Sequence, residues 1–266
     1  MAGLIQAARG KSPADLVLKG GRVVNVFSGE LEEADLAVKD GVIVGLGHYQ
    51  GREEWDVSGK YLCPGLIEPH FHIESSRLCP AELTRAVLPR GTTCIVADPH
   101  EIANVLGLKG IRYMLDASQG LPLDFFFTAP SCVPATHLET AGAELTAQDL
   151  RALLDEPRVL GLAEMMNFPG VINGRPSVLD KLELFAARPR DGHAPGLSGP
   201  DLNAYLTAGI GSDHECSTLT EATEKLARGM RIFIREGSTA RNLSDLLPLV
   251  KSDNMRRVSF CTDDRL

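Results

Sequence analysis

No stretch of this 266-residue chain is apolar enough to span a bilayer: runs of 18 or more apolar residues are absent, and a spanning helix needs about 20. Positive charge is not in excess either. The net charge of -8 argues against a nucleic-acid or anionic-membrane partner, since both are gripped through basic patches. Residues 1–9 lack the basic segment and sustained apolar core of a secretory signal. No C-x-x-C pair occurs among the six cysteines at 63, 79, 94, 132, 216 and 261. That scatter speaks against a zinc ribbon or a disulfide frame. It predicts buried thiols, small apolar core residues of a reduced cytoplasmic protein.

What is present falls into two textures. Residues 1–60 form a small N-terminal β-module, part of a sandwich: short runs such as Leu16-Val17-Leu18, Val23-Val24-Asn25-Val26 and Val42-Ile43-Val44 are broken by Gly20-Gly21, Ser28-Gly29 and Asp40-Gly41. Apolar alternation interrupted by Gly-Gly and Asp-Gly predicts antiparallel hairpins. From residue 61 to 266 the pattern becomes strand then helix. Strand candidates are 62–71, 92–97, 123–128, 159–165, the neighbourhood of Gly192, 210–213, 231–236 and 258–262. Helical patterns lie between them at 81–89, 108–118, 147–154, 178–187, 200–208, 221–229 and 241–250, with capping chemistry at Thr146 and Ser177. This order predicts an α/β fold, a parallel (β/α)8 TIM-like barrel; a doubly wound open sheet alternates in the same way. The barrel region holds only some 206 residues, near the lower limit of about 200 for the fold. The chain stops straight after its eighth strand. The expectation is a barrel incomplete at its C-terminal end, from a truncated or fragmentary chain.

In a parallel barrel, functional groups gather where strands end and loops leave. The first strand ends in Pro69-His70-Phe71-His72. Side chains two apart on a strand face the same way, so His70 and His72 form half of a metal site on a rigid element. The bland alternative is a pair of packed histidines. The second strand ends in Asp98-Pro99-His100-Glu101, the weak fifth in His193, the sixth in Asp213-His214-Glu215 and the eighth in Thr262-Asp263-Asp264. Five of the seven histidines fall at strand ends; His48 and His137 do not. Glu164 lies inside the apolar fourth strand. A buried carboxylate without a partner is costly or takes up a proton, and a cation is the obvious partner. Four imidazoles with Glu164 and Asp263 suffice for two cations bridged by Glu164. Mixed nitrogen and oxygen ligation suits Mn2+, Fe2+ or Zn2+ without separating them.

The run Pro64-Gly65-Leu66-Ile67-Glu68-Pro69-His70-Phe71-His72 after a β-module resembles the amidohydrolase superfamily. The strings His72-Ile73-Glu74-Ser75-Ser76, Asp98-Pro99-His100-Glu101-Ile102-Ala103-Asn104-Val105, Gly192-His193-Ala194-Pro195, Ser212-Asp213-His214-Glu215 and Cys261-Thr262-Asp263-Asp264-Arg265 resemble its bacterial adenine deaminase branch. The resemblance implies hydrolysis of adenine to hypoxanthine and ammonia, in cytoplasmic purine salvage, by a hydroxide formed on metal. It implies two divalent ions, Mn2+ first, with Fe2+ or Zn2+ as substitutes. His70 and His72 would hold one ion, Glu164 would bridge, His193 and His214 would hold the other, and Asp263 would bind metal and shuttle a proton. Asp263 is taken over Asp264 on family position alone. Glu215 is a further catalytic candidate, and Glu74, Ser75, His100 and Glu101 are candidates for contacts to the purine. The implied partner is adenine, a small molecule, with a homo-oligomer open and neither nucleic acid nor membrane expected. The resemblance also implies a chain that continues well past this eighth strand.

Three rivals stand beside this reading. An amino-sugar deacetylase also uses a glutamate on strand four. A cyclic amidase would need a lysine there, and residues 159–166 contain none. An inactive truncated remnant is the third.

Overall fold

In the computed structural model, which describes residues 1–266, the chain divides into two units, Met1–Gly65 and Leu66–Leu266. The first opens with α1 (Ala2–Ala8) and continues as β1 (Ala14–Asn25), β2 (Glu30–Lys39), β3 (Val42–Gly47), β4 (Gly51–Asp56) and β5 (Tyr61–Leu62). The Asp40-Gly41 turn, with φ of 49° and 73°, folds β2 onto β3 as an antiparallel hairpin. Gly20-Gly21 does not make the expected turn. It is a bulge inside one long β1: the register to β2 shifts between Leu18 and Gly21, and Gly20 adopts φ 70° while its N–H donates to Asp35. Antiparallel pairing is also not the whole pattern, because β4 and β5 both pair with β1 in parallel. Its small core clusters Ala14, Val17 and Ala37, with Ala7 and Val23 also buried.

The second unit alternates strand and helix. Its strands are β6 (Leu66–Phe71), β7 (Thr92–Ala97), β8 (Asp124–Ala129), β9 (Val159–Met165), β10 (Arg190–Gly192), β11 (Ser212–Asp213), β12 (Arg231–Arg235) and β13 (Val258–Cys261). Parallel pairing runs β10-β9-β8-β7-β6 in one sheet and β11-β12-β13 in another. A parallel bridge between Phe71 and Asp263 links β6 to the second residue past β13, and Gly211 N–H donates to Arg190 C=O between β11 and β10. Glu68 on β6 reinforces the first link, accepting from the Thr262 N–H at 3.1 Å and its hydroxyl at 2.8 Å. The expected single strand 62–71 is split. Pro64-Gly65 interrupts it, leaving Tyr61–Leu62 in the first unit's sheet and Leu66–Phe71 in the second's.

The helices are α2 (Pro80–Val87), α3 (His100–Leu106), α4 (Leu108–Ala117), α5 (Ala147–Leu150), α6 (Phe168–Ile172), α7 (Pro176–Leu184), α8 (Gly199–Thr207), α9 (Leu219–Ala227) and α10 (Leu243–Leu246). Helix α4 buries Ile111, Met114 and Leu115, the one-face spacing that drives an amphipathic helix onto a sheet. The Thr146 cap forms as expected, as a reciprocal box with Asp149. Ser177 does not cap α7: Pro176 takes the first helical position, where its fixed φ suits the helix and its missing N–H is no loss. Helices α3 and α6, of seven and five residues, are too short to show a period in sequence. Phe127, Ile95, Leu162, Phe185, Tyr205 and Ile232 fill the interior, each worth roughly 1.5–3 kcal/mol of apolar burial. Leu66, Ile67 and Phe260 on β6 and β13 are exposed. Cys132, Cys216 and Cys261 are buried, but Cys63 and Cys79 are exposed and Cys94 is half-buried, so the expectation of six core thiols fails for three. No helix is long and apolar enough to cross a membrane.

Candidate metal centre

Glu164, 3% exposed on β9, is the centre of the site. Its Oε1 lies 3.2 Å from His72 Nε2 and 3.9 Å from His70 Nε2. Its Oε2 lies 3.3 Å from His214 Nε2 and accepts a hydrogen bond from His193 Nδ1. One carboxylate oxygen thus faces each pair of imidazoles. Asp263 approaches the first pair, with Oδ1 at 3.1 Å from His72 Nε2 and 3.5 Å from His70 Nε2. The donor atoms of His70, His72 and Asp263 lie within 4.8 Å of one another, and so do those of Glu164, His193 and His214. Asp263 is buried while Asp264 is exposed.

Local geometry aims these groups. On β6, His70 and His72 share a face by strand alternation. His70 Nδ1–H donates to Asp191 at 2.9 Å and His72 Nδ1–H to the Asp98 carbonyl at 3.0 Å, which fixes both tautomers with Nε2 turned inward. His70 and His214 stack with ring centroids 3.8 Å apart. The turn into His193 needs Gly192, because a Cβ there would meet the Ser212 carbonyl oxygen at 2.2 Å.

The electrostatics call for positive charge. Burial lowers the affinity of His70, His72 and His193 for a proton, but hydrogen bonds and charge from Asp191, Asp263 and Glu164 outweigh it and hold all three above the ordinary histidine value. His100 behaves likewise: burial opposes its proton, while Asp98 pushes the pKa up to about 9. Burial would raise Glu164 and Asp263, yet the surrounding imidazoles hold both below the usual carboxylate range. Protons on histidine therefore stand where a cation would satisfy the same carboxylates. Nitrogen and carboxylate donors, buried, with His70 Nε2 lacking any hydrogen-bond partner, fit a divalent transition cation.

The other anticipated residues surround this cluster. His100 opens α3, 2.9 Å from Asp98 and 3.4 Å from Glu164. Glu101 Oε2 lies 3.6 Å from His72 Nδ1 and has no hydrogen bond. Glu74 accepts from the Ile102 N–H through one oxygen and leaves the other buried and unpartnered; burial and the nearby Glu101 raise its pKa to about 7. The Ser75 hydroxyl is committed to the His72 carbonyl at 2.7 Å. Glu215 lies 3.7 Å from both His193 and His214 and is paired with Arg235. Sequence reasoning passed over Asp191, Arg235 and Lys225. Asp191 and Arg235 both stand in strands, two residues before His193 and at the last position of β12, so a census of every charged strand residue would have found them. Lys225 had no such signal. A cavity of about 280 Å³ opens behind β9 between Cys132, Met165 and Lys181, and none of the five clustered histidines lines it.

The sequence pattern of the amidohydrolase family matches residues 61–266. The chain belongs to the amidohydrolase family. Among relatives of this family member, a protein of Syntrophobacter fumaroxidans named adenine deaminase is 58% identical over 264 residues, covering 99% of this chain and 46% of the relative. One of Dehalococcoides mccartyi with the same name is 59% identical over 263 residues, covering 98% and 46%. Adenine deaminase 2 of Carboxydothermus hydrogenoformans is 53% identical over 262 residues, with the same coverage of 98% and 46%. The chain spans about half the length of the curated relatives it matches. In solved structures the amidohydrolase fold recurs in the N-acyl-D-glutamate deacylase of Bordetella bronchiseptica, with TM-score 0.55 and 17% identity over 84% of this chain and 58% of that one. A prolidase complexed with N-methylphosphonate-L-proline has TM-score 0.52 and 16% identity over 94% and 78%.

Proposed function

We propose that this chain carries the catalytic centre of an adenine deaminase, converting adenine and water to hypoxanthine and ammonia in cytoplasmic purine salvage. The observation that carries the reading is Glu164, buried between two pairs of imidazoles, in a chain 53–59% identical to proteins bearing that name. The eight parallel strands serve as one (β/α)8-type barrel, incomplete at its C-terminal end, whose mouth holds the centre. His70 and His72 would hold one divalent ion, Mn2+ by preference, His193 and His214 would hold a second, and Glu164 and Asp263 would complete the set. When bound, such ions supply Lewis acidity that brings the ionisation of water to near pH 7.

The protein's own groups do the rest. Asp263, with Oδ1 facing His70 and His72, accepts a proton from the attacking water and delivers it to the departing 6-amino group. His70 is held by Asp191 and His72 by the Asp98 carbonyl, so neither ring turns away during turnover. Glu74 and Glu101 present buried oxygens without partners, suited to the polar edge of a purine. A carboxyl with its pKa near 7, as in Glu74, both donates and accepts near neutrality. His100 stands beside them, and Ser75 shapes the loop. Glu164 stands on the fourth strand where a cyclic amidase would carry lysine.

The test is ammonia release from adenine by the Mn2+-loaded chain, run beside acetate release from an N-acetylated amino sugar. Ammonia without acetate supports the assignment. Acetate alone, or a folded, metal-replete protein that releases neither, overturns it.

A further inference from the structure

Arg235, at the C-terminal end of β12, has all three guanidinium nitrogens engaged. Nη1 and Nη2 grip both oxygens of Glu215, the second at 2.8 Å. Nη1 also donates to Asp263 Oδ2 at 2.7 Å, and Nε donates to Asn242 at 3.4 Å. All three charged side chains are mostly buried. Asp263 is pinned twice more: its N–H donates to the His70 carbonyl and its carbonyl accepts from His72 N–H. Its backbone has φ 56°, the left-handed region that a non-glycine residue keeps only when its surroundings fix it. Arg235 is the one lysine or arginine that pairs with any carboxylate of this centre. Its charge, unlike a histidine's, does not titrate away.

We propose that Arg235 is a positioning residue that yokes the acid after β11 to the acid after β13, so that Asp263 keeps Oδ2 on the guanidinium and turns Oδ1 to His70 and His72. This rests on the deaminase reading for its catalytic consequence, but not for its geometric one. Without the fork, Asp263 rotates freely about its side-chain bonds and both oxygens compete for the imidazole side. Lysine preserves charge but offers one point where arginine offers a planar, bidentate grip, so it cannot hold both acids.

The test uses the full chain loaded with Co2+, comparing wild type, R235K and R235Q by visible absorption, bound metal and, with adenine, ammonia release. R235Q is expected to bind as much cobalt as wild type with shifted absorption bands. It should turn over about 100-fold more slowly, the loss expected from misplacing a reacting group by roughly 1 Å, with KM little changed. R235K should show the same band shift, and added guanidinium should restore part of the R235Q rate. Should R235Q fail to fold, R235K carries the comparison. Unchanged cobalt bands in the folded variants overturn the proposal, as does a wild-type kcat. If wild type binds cobalt but leaves adenine intact, the deaminase reading fails and the band comparison alone decides Arg235.

Discussion

Replacing Lys225 with methionine removes a charge that the fold has fully committed. The ammonium has no exposed surface, and its three protons have three acceptors: the Ala194 carbonyl at 2.6 Å, Asp213 at 2.7 Å and Glu221 at 2.7 Å. Ala194 follows His193 and Asp213 precedes His214, so this lysine on α9 sets the spacing of two loops that carry imidazoles. In K225M, Asp213 stays fully buried with only the Ala194 N–H and the Cys216 thiol as donors. Breaking a buried pair by removing one partner costs about 3–5 kcal/mol. With a urea slope near 3 kcal/mol per M, the unfolding midpoint should fall by roughly 1–2 M. The pH dependence has a definite sign. In wild type, burial raises Asp213, but Lys225, first among the opposing groups, together with His214 and the Ala194 N–H holds the acid below its ordinary value. Without Lys225 burial prevails, the folded variant binds a proton more tightly than the unfolded chain, and its stability falls as pH rises. The deficit is therefore full near pH 7.5 and shrinks at pH 5. Urea unfolding of both proteins at the two pH values reads this directly, with D213N/K225M expected to regain part of the loss. A K225M midpoint within error of wild type at pH 7.5, or a deficit equal at both pH values, would refute the reasoning.

Two further outcomes follow from the same geometry. Asp191→Asn leaves His70 free to adopt either tautomer, and loss of such an orienting partner typically costs about 10–100-fold in metal affinity; a Zn2+ titration that matches wild type would contradict this. In chelated protein the raised histidines contribute stability that is complete below their unfolded value near 6.5 and is lost as pH climbs through their folded values, for His100 about 9. Melting temperature in chelator should therefore drop between pH 6.5 and 9.5, and Mn2+ should abolish the drop; a flat profile in chelator counts against it.

Much of the centre was legible because strand geometry is periodic. His70 and His72 share a face by the pleat, and Glu164 stood out because an acid in an apolar strand needs a partner. The carboxylates that aim the imidazoles were harder to read. Asp191 and His70 are 121 positions apart, and Arg235 and Asp263 are 28 apart, so no local pattern links them. Short elements escaped for another reason. Seven residues of α3 complete less than two turns, too few to show a stripe, although that helix carries His100 and Glu101. Gly20-Gly21 misled because the same φ > 0 freedom that makes a hairpin turn also makes a bulge, and the pairing of β1 with β2, β4 and β5 decided between them.

On the proposed reading, Glu164 joins two groups of imidazoles into one two-cation centre. The most direct test is the number of Mn2+ ions retained per chain after reconstitution, in wild type and in Glu164→Gln, whose amide keeps the shape and loses the charge. Two ions in wild type and one or none in the variant are predicted. Fewer than one in folded wild type, or equal occupancy in both proteins, would contradict it.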